Sequence, residues 1–159
     1  MQIIEGDLIA LAKAGRFDVI AHGCNCFCTM GAGIARAIAA AFPQAYEADR
    51  ATEMGSRDKL GRFSAAAIDP PDRELTVVNA YTQYDFSGPG RLVDYDAVAT
   101  VFARIATAFP TARIGYPLIG AGLAGGDWSR IAPLIDTALA GRDHALVILP
   151  GTSIPGGST

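Results

Sequence analysis

The stretch HGCNCFCTMGAGIA, from His22 to Ala35, decides how the rest of the chain is read. It follows FDVIAH, residues 17–22, a compact apolar run of the kind that forms a buried strand. It leads into a segment in which Ile34, Ile38 and Phe42 recur four residues apart, the spacing of one helix face. Strand, glycine loop and helix therefore follow one another directly. A helix N-terminus carries unpaired N–H groups and partial positive charge, and small residues there let an anion reach the backbone. The same glycines also suit a tight strand–helix turn that holds nothing. On this segment alone both readings stand.

Working outward, Gln2–Ile4 reads as a strand, Gly6-Asp7 as a break and Leu8–Leu11 as a short helical turn. Pro43 opens a second helical stretch to about Arg50, since proline suits the first helical position. LTVVNAY, residues 75–81, is a β-branched strand, and Ser64–Ile68 pairs with it across a turn at Pro70-Pro71-Asp72. Ser87–Gly90 has the composition of a mobile loop. Asp94 to Phe109 is a helix whose inner face carries Val98, Val101, Phe102 and Ile105. Arg113–Ile119 is a strand that ends in a second glycine loop, GAGLAGG, residues 120–126. Trp128–Ala140 is a helix and Ala145–Leu149 the last strand. This alternation implies a three-layer α/β/α sandwich around a mixed, largely parallel sheet. Residues 1–150 form a single domain, and residues 151–159 read as a flexible tail. In such sheets ligands lie beyond the strand ends, so two glycine loops that each follow a strand are candidates for one shared cleft.

Bulk properties narrow the function. The formal net charge is −3 and no basic run occurs, so the chain lacks the footprint of a nucleic-acid backbone binder. Phosphate would have to be held mainly by backbone N–H groups. No secretory signal and no apolar run of spanning length are visible, which gives the expectation of a cytoplasmic protein with no membrane partner. Cys24, Cys26 and Cys28 are odd in number and too close to staple a fold, so reduced thiols are expected. With His22 they could supply four zinc ligands, but zinc spacing leaves at least two residues between paired cysteines and adds a distant pair. No metal and no organic cofactor is therefore expected. The P-loop pattern is absent, and Arg36 stands where the dinucleotide fold places its third glycine. Two glycine loops facing each other suggest instead an extended ligand carrying a diphosphate.

These residues, in this order, resemble the macrodomain family of ADP-ribose-binding modules. The resemblance runs from Ile3 to Leu149 and rests on Gly6-Asp7, on IAHGCNC leading into MGAGIA with AFP after the helix, and on YPLIGAGLAGGDW. The H-x-C-N-C form near G-x-G-I-A is most similar to the yeast-type ADP-ribose-1″-phosphate phosphatases and their bacterial and phage relatives. The resemblance implies that Asp7 accepts a hydrogen bond from the adenine amine, with Leu8 beside it. Asn25 would contact the distal ribose. Gly31, Ala32, Gly33, Ile34 and Ala35 would bind the diphosphate, with Gly120, Ala121, Gly122 and Leu123 closing from the other side. Thr82 and Gln83 would lie by the distal ribose. From the residues alone, Asp7 also reads as a helix cap and Asn25 as a turn former.

His22 ends the FDVIAH run, so it is expected at the cleft mouth, and histidine titrates where proton transfer is useful. It is the first catalytic candidate, against a buried histidine at a strand end. Asp127 is the second, and it reads equally well as the cap of the helix at Trp128. The glycohydrolase branch of the family uses a lysine after the LTVVNAY strand and an aspartate after the second loop's Gly-Leu. Here those places hold Thr82-Gln83-Tyr84 and Ala124. The expected activity is hydrolysis of ADP-ribose 1″-phosphate to ADP-ribose and phosphate. The alternatives are removal of ADP-ribose from a protein or nucleic acid, and binding of ADP-ribose without catalysis.

Overall fold

The computed structural model describes residues 1–68 and 74–156. Its elements are β1 (Gln2–Glu5), α1 (Leu8–Lys13), β2 (Val19–Cys24), α2 (Gly33–Ala41), α3 (Pro43–Arg50) and a 3-10 turn (Arg57–Lys59). They continue with β3 (Phe63–Ile68), β4 (Leu75–Tyr81), α4 (Tyr95–Ala108), β5 (Arg113–Tyr116), α5 (Trp128–Ala138) and β6 (Asp143–Ile148). The turn expected at Pro70-Pro71-Asp72 lies outside the described residues.

The six strands form one sheet in the order β1-β6-β5-β2-β4-β3, parallel throughout except for β3 against β4. Successive side chains of a strand point to opposite faces, so each inner strand feeds two cores. Val19 and Ala21 of β2 join Val78, Ile114 and Leu146 under α4 and α5, against Val98, Phe102, Ile105, Ile131 and Ile135. Ile20, between them, joins Val77, Ala145 and Val147 on the other face, under α1, α2 and α3, against Leu8, Ile38, Phe42 and Ala45. The sandwich is thus the three-layer α/β/α arrangement the sequence implies. Burial on both faces explains why β2 and β4 are nearly continuous apolar runs.

Element ends follow local chemistry. Pro117 cannot donate to a ladder, and β5 stops at Tyr116 instead of running to Ile119. Phe42 has φ −132° and ψ 77°, outside the helical region that a following proline disfavours, and so separates α2 from α3. Asp94 caps α4 by accepting from Ala97 N at 3.0 Å. One boundary matters for function. β2 runs two residues past His22, because Gly23 and Cys24 pair with Ala80 and Tyr81 of β4. The histidine therefore lies inside the sheet and not at its end. Beyond β6, Ile154 packs against the α4–α5 core.

Candidate functional site: a cleft between two glycine loops

A cleft of about 870 Å³ lies over the C-terminal ends of the strands, within the range typical of small-molecule sites. Its floor starts at Gly6 and Asp7 after β1, passes Val147–Leu149 at the end of β6 and Pro117–Gly120 after β5, and reaches Gly23–Asn25 at the end of β2 and Gln83 after β4. Strands stand roughly 4.8 Å apart, so four steps across the sheet make a trough about 19 Å long. The shape suits an extended molecule.

The first glycine loop forms one wall. Asn25 shapes it: Oδ1 accepts from Phe27 N at 2.8 Å, and Nδ2 donates to Thr29 Oγ1 at 2.7 Å and to Thr29 O at 3.2 Å. Asn25 is the turn former that its residue type suggests, and it also lines the cleft. Gly31, Ala32, Gly33, Ile34 and Ala35 follow along the wall. Gly33 has φ 56°, in the left-handed region that favours glycine. Helices α1, α4 and α5 each carry an aspartate cap, from Asp7, Asp94 and Asp127. Helix α2 begins after Ala32 with no side-chain cap. Its first N–H groups and its positive end open onto the trough.

The second loop forms the opposite wall with Gly120, Gly122, Leu123 and Ala124; Ala121 is not among the lining residues. It is braced from below. Gly126 N donates to Gly120 O at 2.7 Å, and Ala124 O accepts from Leu92 N at 2.8 Å and Val93 N at 3.2 Å. Leu123 is 81% exposed, and its Cδ1 would come within 3.9 Å of a Cβ at Gly33. It leans toward the first loop across the gap.

Asp7 lines the near end of the trough with Leu8. Its Oδ1 accepts from Ala10 N at 2.8 Å and caps α1, which leaves the second oxygen for another donor. At the far end, Gln83 and Phe86 line the cleft, and Gln83 Nε2 donates to Asp85 O at 2.7 Å. Thr82 does not line it. Its side chain is fully buried with Oγ1 unpartnered, behind Gly23, where a Cβ would meet that oxygen at 2.7 Å.

Neither catalytic candidate lines the cleft. His22 is fully buried on the α3 side of the sheet, two residues below the strand end, and is absent from the cleft lining. Its Nε2 lies 2.7 Å from Asn79 Oδ1. Burial pulls its pKa down to about 4, opposed in part by the Asn79 hydrogen bond, so the ring is neutral near pH 7. Asp127 is exposed and accepts from Ser129 N at 2.9 Å and Ser129 Oγ at 2.6 Å, capping α5. The Ser129 hydrogen bonds hold its pKa below the usual carboxylate range, which makes it a poor proton donor. It does not line the cleft.

Behind the first loop lies a polar network that sequence reading did not find. Asn79 Nδ2 donates to Ala45 O at 2.9 Å and to Ser64 Oγ at 3.0 Å; Ser64 Oγ lies 2.8 Å from Tyr81 Oη, which donates to Asp49 at 2.8 Å. The one available signal was Asn79, a lone amide inside LTVVNAY. The three cysteines point to different partners: Cys24 to the His22 ring, Cys26 to Gln83 O, Cys28 to Asp49 O. Among the described residues no group of three or more His, Cys, Asp and Glu side chains could hold a metal ion. Nor, among them, is any helix long and apolar enough to cross a membrane. The cleft residues that sequence reading omitted, Phe86, Leu92 and Thr152 among them, are brought there by the loops and tail alone.

No family model matches the sequence. An uncharacterized 17.5 kDa protein from the tk–vs intergenic region of Enterobacteria phage T4 is 38% identical over 144 residues, covering 86% of this chain and 88% of the phage protein. The structure of a macrodomain protein from Streptomyces coelicolor superposes with a TM-score of 0.69 at 26% identity, over 92% of this chain and 97% of that one. A Trypanosoma brucei macrodomain in complex with ADP-ribose superposes with a TM-score of 0.57 at 17% identity, over 91% of this chain and 61% of that one. The chain belongs to one family with the phage protein and has the macrodomain fold.

Proposed function

We propose that the trough binds ADP-ribose, with the adenine at Asp7, the diphosphate between the glycine loops and the distal ribose toward Asn25 and Gln83. The observation that carries this reading is the uncapped start of α2, which opens onto the cleft beside Gly31 and opposite Gly122. A diphosphate there would take up the orphan N–H groups and meet the positive helix end. The trough's length and the ADP-ribose bound by the trypanosome macrodomain support the same reading.

The finer proposal is hydrolysis of ADP-ribose 1″-phosphate to ADP-ribose and phosphate, supported by the H-x-C-N-C and G-x-G-I-A pattern. Among the described residues the only titratable side chains that line the cleft are Asp7 and Cys24. Asp7 lies at the adenine end, and burial pushes the Cys24 thiol well above its usual range. The protein's share of the chemistry would then be electrostatic: backbone N–H groups stabilising charge on the phosphoryl oxygens, with Asn25 and Gln83 shaping the space for water. Removal of ADP-ribose by a covalent lysine is disfavoured. Thr82-Gln83-Tyr84 hold the relevant place, and Lys59 is buried against Cys26 O and Tyr81.

The test is phosphate release from ADP-ribose 1″-phosphate beside calorimetric titration with ADP-ribose. Release together with binding is expected. Binding without release would leave a non-catalytic ADP-ribose binder, and absence of binding would end both readings.

A second expectation concerns Asp7→Asn. Asparagine keeps the cap on α1 but loses the charge. A hydrogen bond to a charged group contributes about 1.5–3 kcal/mol, so affinity should fall by roughly tenfold or more at unchanged melting temperature. An unchanged dissociation constant would remove Asp7 from the site.

A further inference from the structure

Cys28 and Lys59 lie outside the trough and form a pair that ligand binding does not use. Cys28 immediately precedes Thr29 of the cleft wall and has φ 57°, a left-handed conformation uncommon for a residue with a side chain. The loop directs its thiol inward. Sγ lies 3.3 Å from Asp49 O and 3.5 Å from Thr52 Oγ1. Lys59 Nζ approaches the same sulfur at 3.5 Å.

Lys59 is unusual in its own right. It is 93% buried by virtue of its 7% exposure. Its ammonium donates to Cys26 O at 3.1 Å and rests 4.5 Å from the Tyr81 ring centroid. Among the described residues no carboxylate lies within ion-pair distance of it. Asp49 is fully buried nearby and keeps Oδ2 without a hydrogen-bond partner. A buried lysine without a paired carboxylate is a poor source of stability, and an apolar residue of similar size serves packing better. Its nitrogen is nevertheless held against the thiol of a residue that is only partly buried. A cation beside an accessible thiol is the setting in which cysteines react with oxidants.

We infer that Cys28 and Lys59 are an oxidative cross-linking site, in which peroxide joins the cysteine sulfur to the lysine nitrogen. Hydrogen peroxide transfers one oxygen to the Cys28 thiol. Sulfur is oxidised by two electrons to the sulfenic acid, and the peroxide is reduced to water. The unprotonated Lys59 amine then attacks that sulfur. The nitrogen–sulfur bond forms, the sulfur–oxygen bond breaks, and the departing hydroxide takes the amine's proton as a second water. Thiol, amine and one peroxide thus give a sulfenamide and two waters, as sulfenic acids do with a backbone nitrogen. The bond ties the cleft loop at residue 28 to the 3-10 turn at residue 59. A reducing thiol reverses it.

The experiment treats the native full chain with hydrogen peroxide at neutral and at mildly alkaline pH, alkylates the remaining thiols, and maps the digest by mass spectrometry. The expected product is a pair of peptides joined through Cys28 and Lys59, lighter than their sum by two hydrogens. It should be more abundant at the higher pH, because the attacking amine must be unprotonated, and it should disappear on reduction. Recovery of Cys28 as alkylated thiol, as sulfinic acid or as a disulfide with Cys26, without the joined pair, would overturn the inference. In Lys59→Met, checked for folding by circular dichroism, the joined pair should be absent and Cys28 should proceed to the sulfinic acid. A product lighter by two hydrogens that persisted in a folded Lys59→Met protein would assign the bond elsewhere. If that variant does not fold, the wild-type digest decides alone.

Discussion

Lowering the pH from neutrality to about 4 is expected to cost the native protein roughly 3 kcal/mol through His22 alone. The folded ring titrates near 4, against 6.5 for the model value. Above the unfolded pKa both states hold a neutral imidazole and the group contributes nothing. Between the two values the unfolded chain takes up a proton that the folded chain refuses. Stability therefore falls as pH falls through that window, and the loss levels off below the folded pKa. His144 adds to the same limb, since burial lowers its pKa as well. Asp49 works against it: burial raises its pKa, so its ionisation penalty is relieved in acid. Comparison with His22→Gln isolates the histidine. Urea unfolding of both proteins across this range should give a shallower acid limb in the variant. Parallel limbs would show that another group carries the effect. Were His22 a proton-transfer group for substrate, the variant would in addition lose about 10²–10⁴ in rate.

Replacing Gly31 by valine should abolish ADP-ribose binding without unfolding the protein. A Cβ at Gly31 meets nothing within 4 Å, and its φ is not in the left-handed range. The added branches would project into the open trough where the diphosphate is proposed to lie. A surface change away from special backbone geometry costs within about 0.5 kcal/mol. The expected loss of affinity is about 100-fold or more, equivalent to about 2.7 kcal/mol. Gly33, on the same wall, is a worse probe. Its φ of 56° makes any side chain strained, by about 1–2 kcal/mol, so lost binding and lost stability would be mixed. Calorimetry with ADP-ribose and a thermal melt of Gly31→Val separate the two. Tight binding by a folded Gly31→Val protein would show that this wall is a turn and not a ligand cradle.

What the sequence determined by itself was everything that local chemistry dictates. The period of Ile34, Ile38 and Phe42 marks α2, and Pro43 marks where the next helix starts. The β-branched run at 75–81 marks β4, and glycines after β2 and β5 mark the two loops. These signals survive folding because hydrophobic spacing and the conformational freedom of proline and glycine act over a few residues. The two loops could be named as cleft candidates for the same reason, whereas Leu8 and Asn25 were named through the resemblance to macrodomains.

Depth and neighbourhood were decided only by tertiary structure. His22 follows an apolar run and precedes a loop, and nothing local shows that β2 continues two residues further. That extension depends on ladder pairing with Ala80 and Tyr81, some 57 positions along the chain. It turns a histidine at a cleft mouth into a buried neutral one. Asp49 and Lys59 are ordinary charged residues in polar segments until α3 and the 3-10 turn fold over the cleft loop. Gly33 shows the same limit within a single residue. Its place at the head of a helix is legible in the sequence, but its left-handed φ is imposed by the path from Asn25 to α2, a path set by packing against the rest of the molecule.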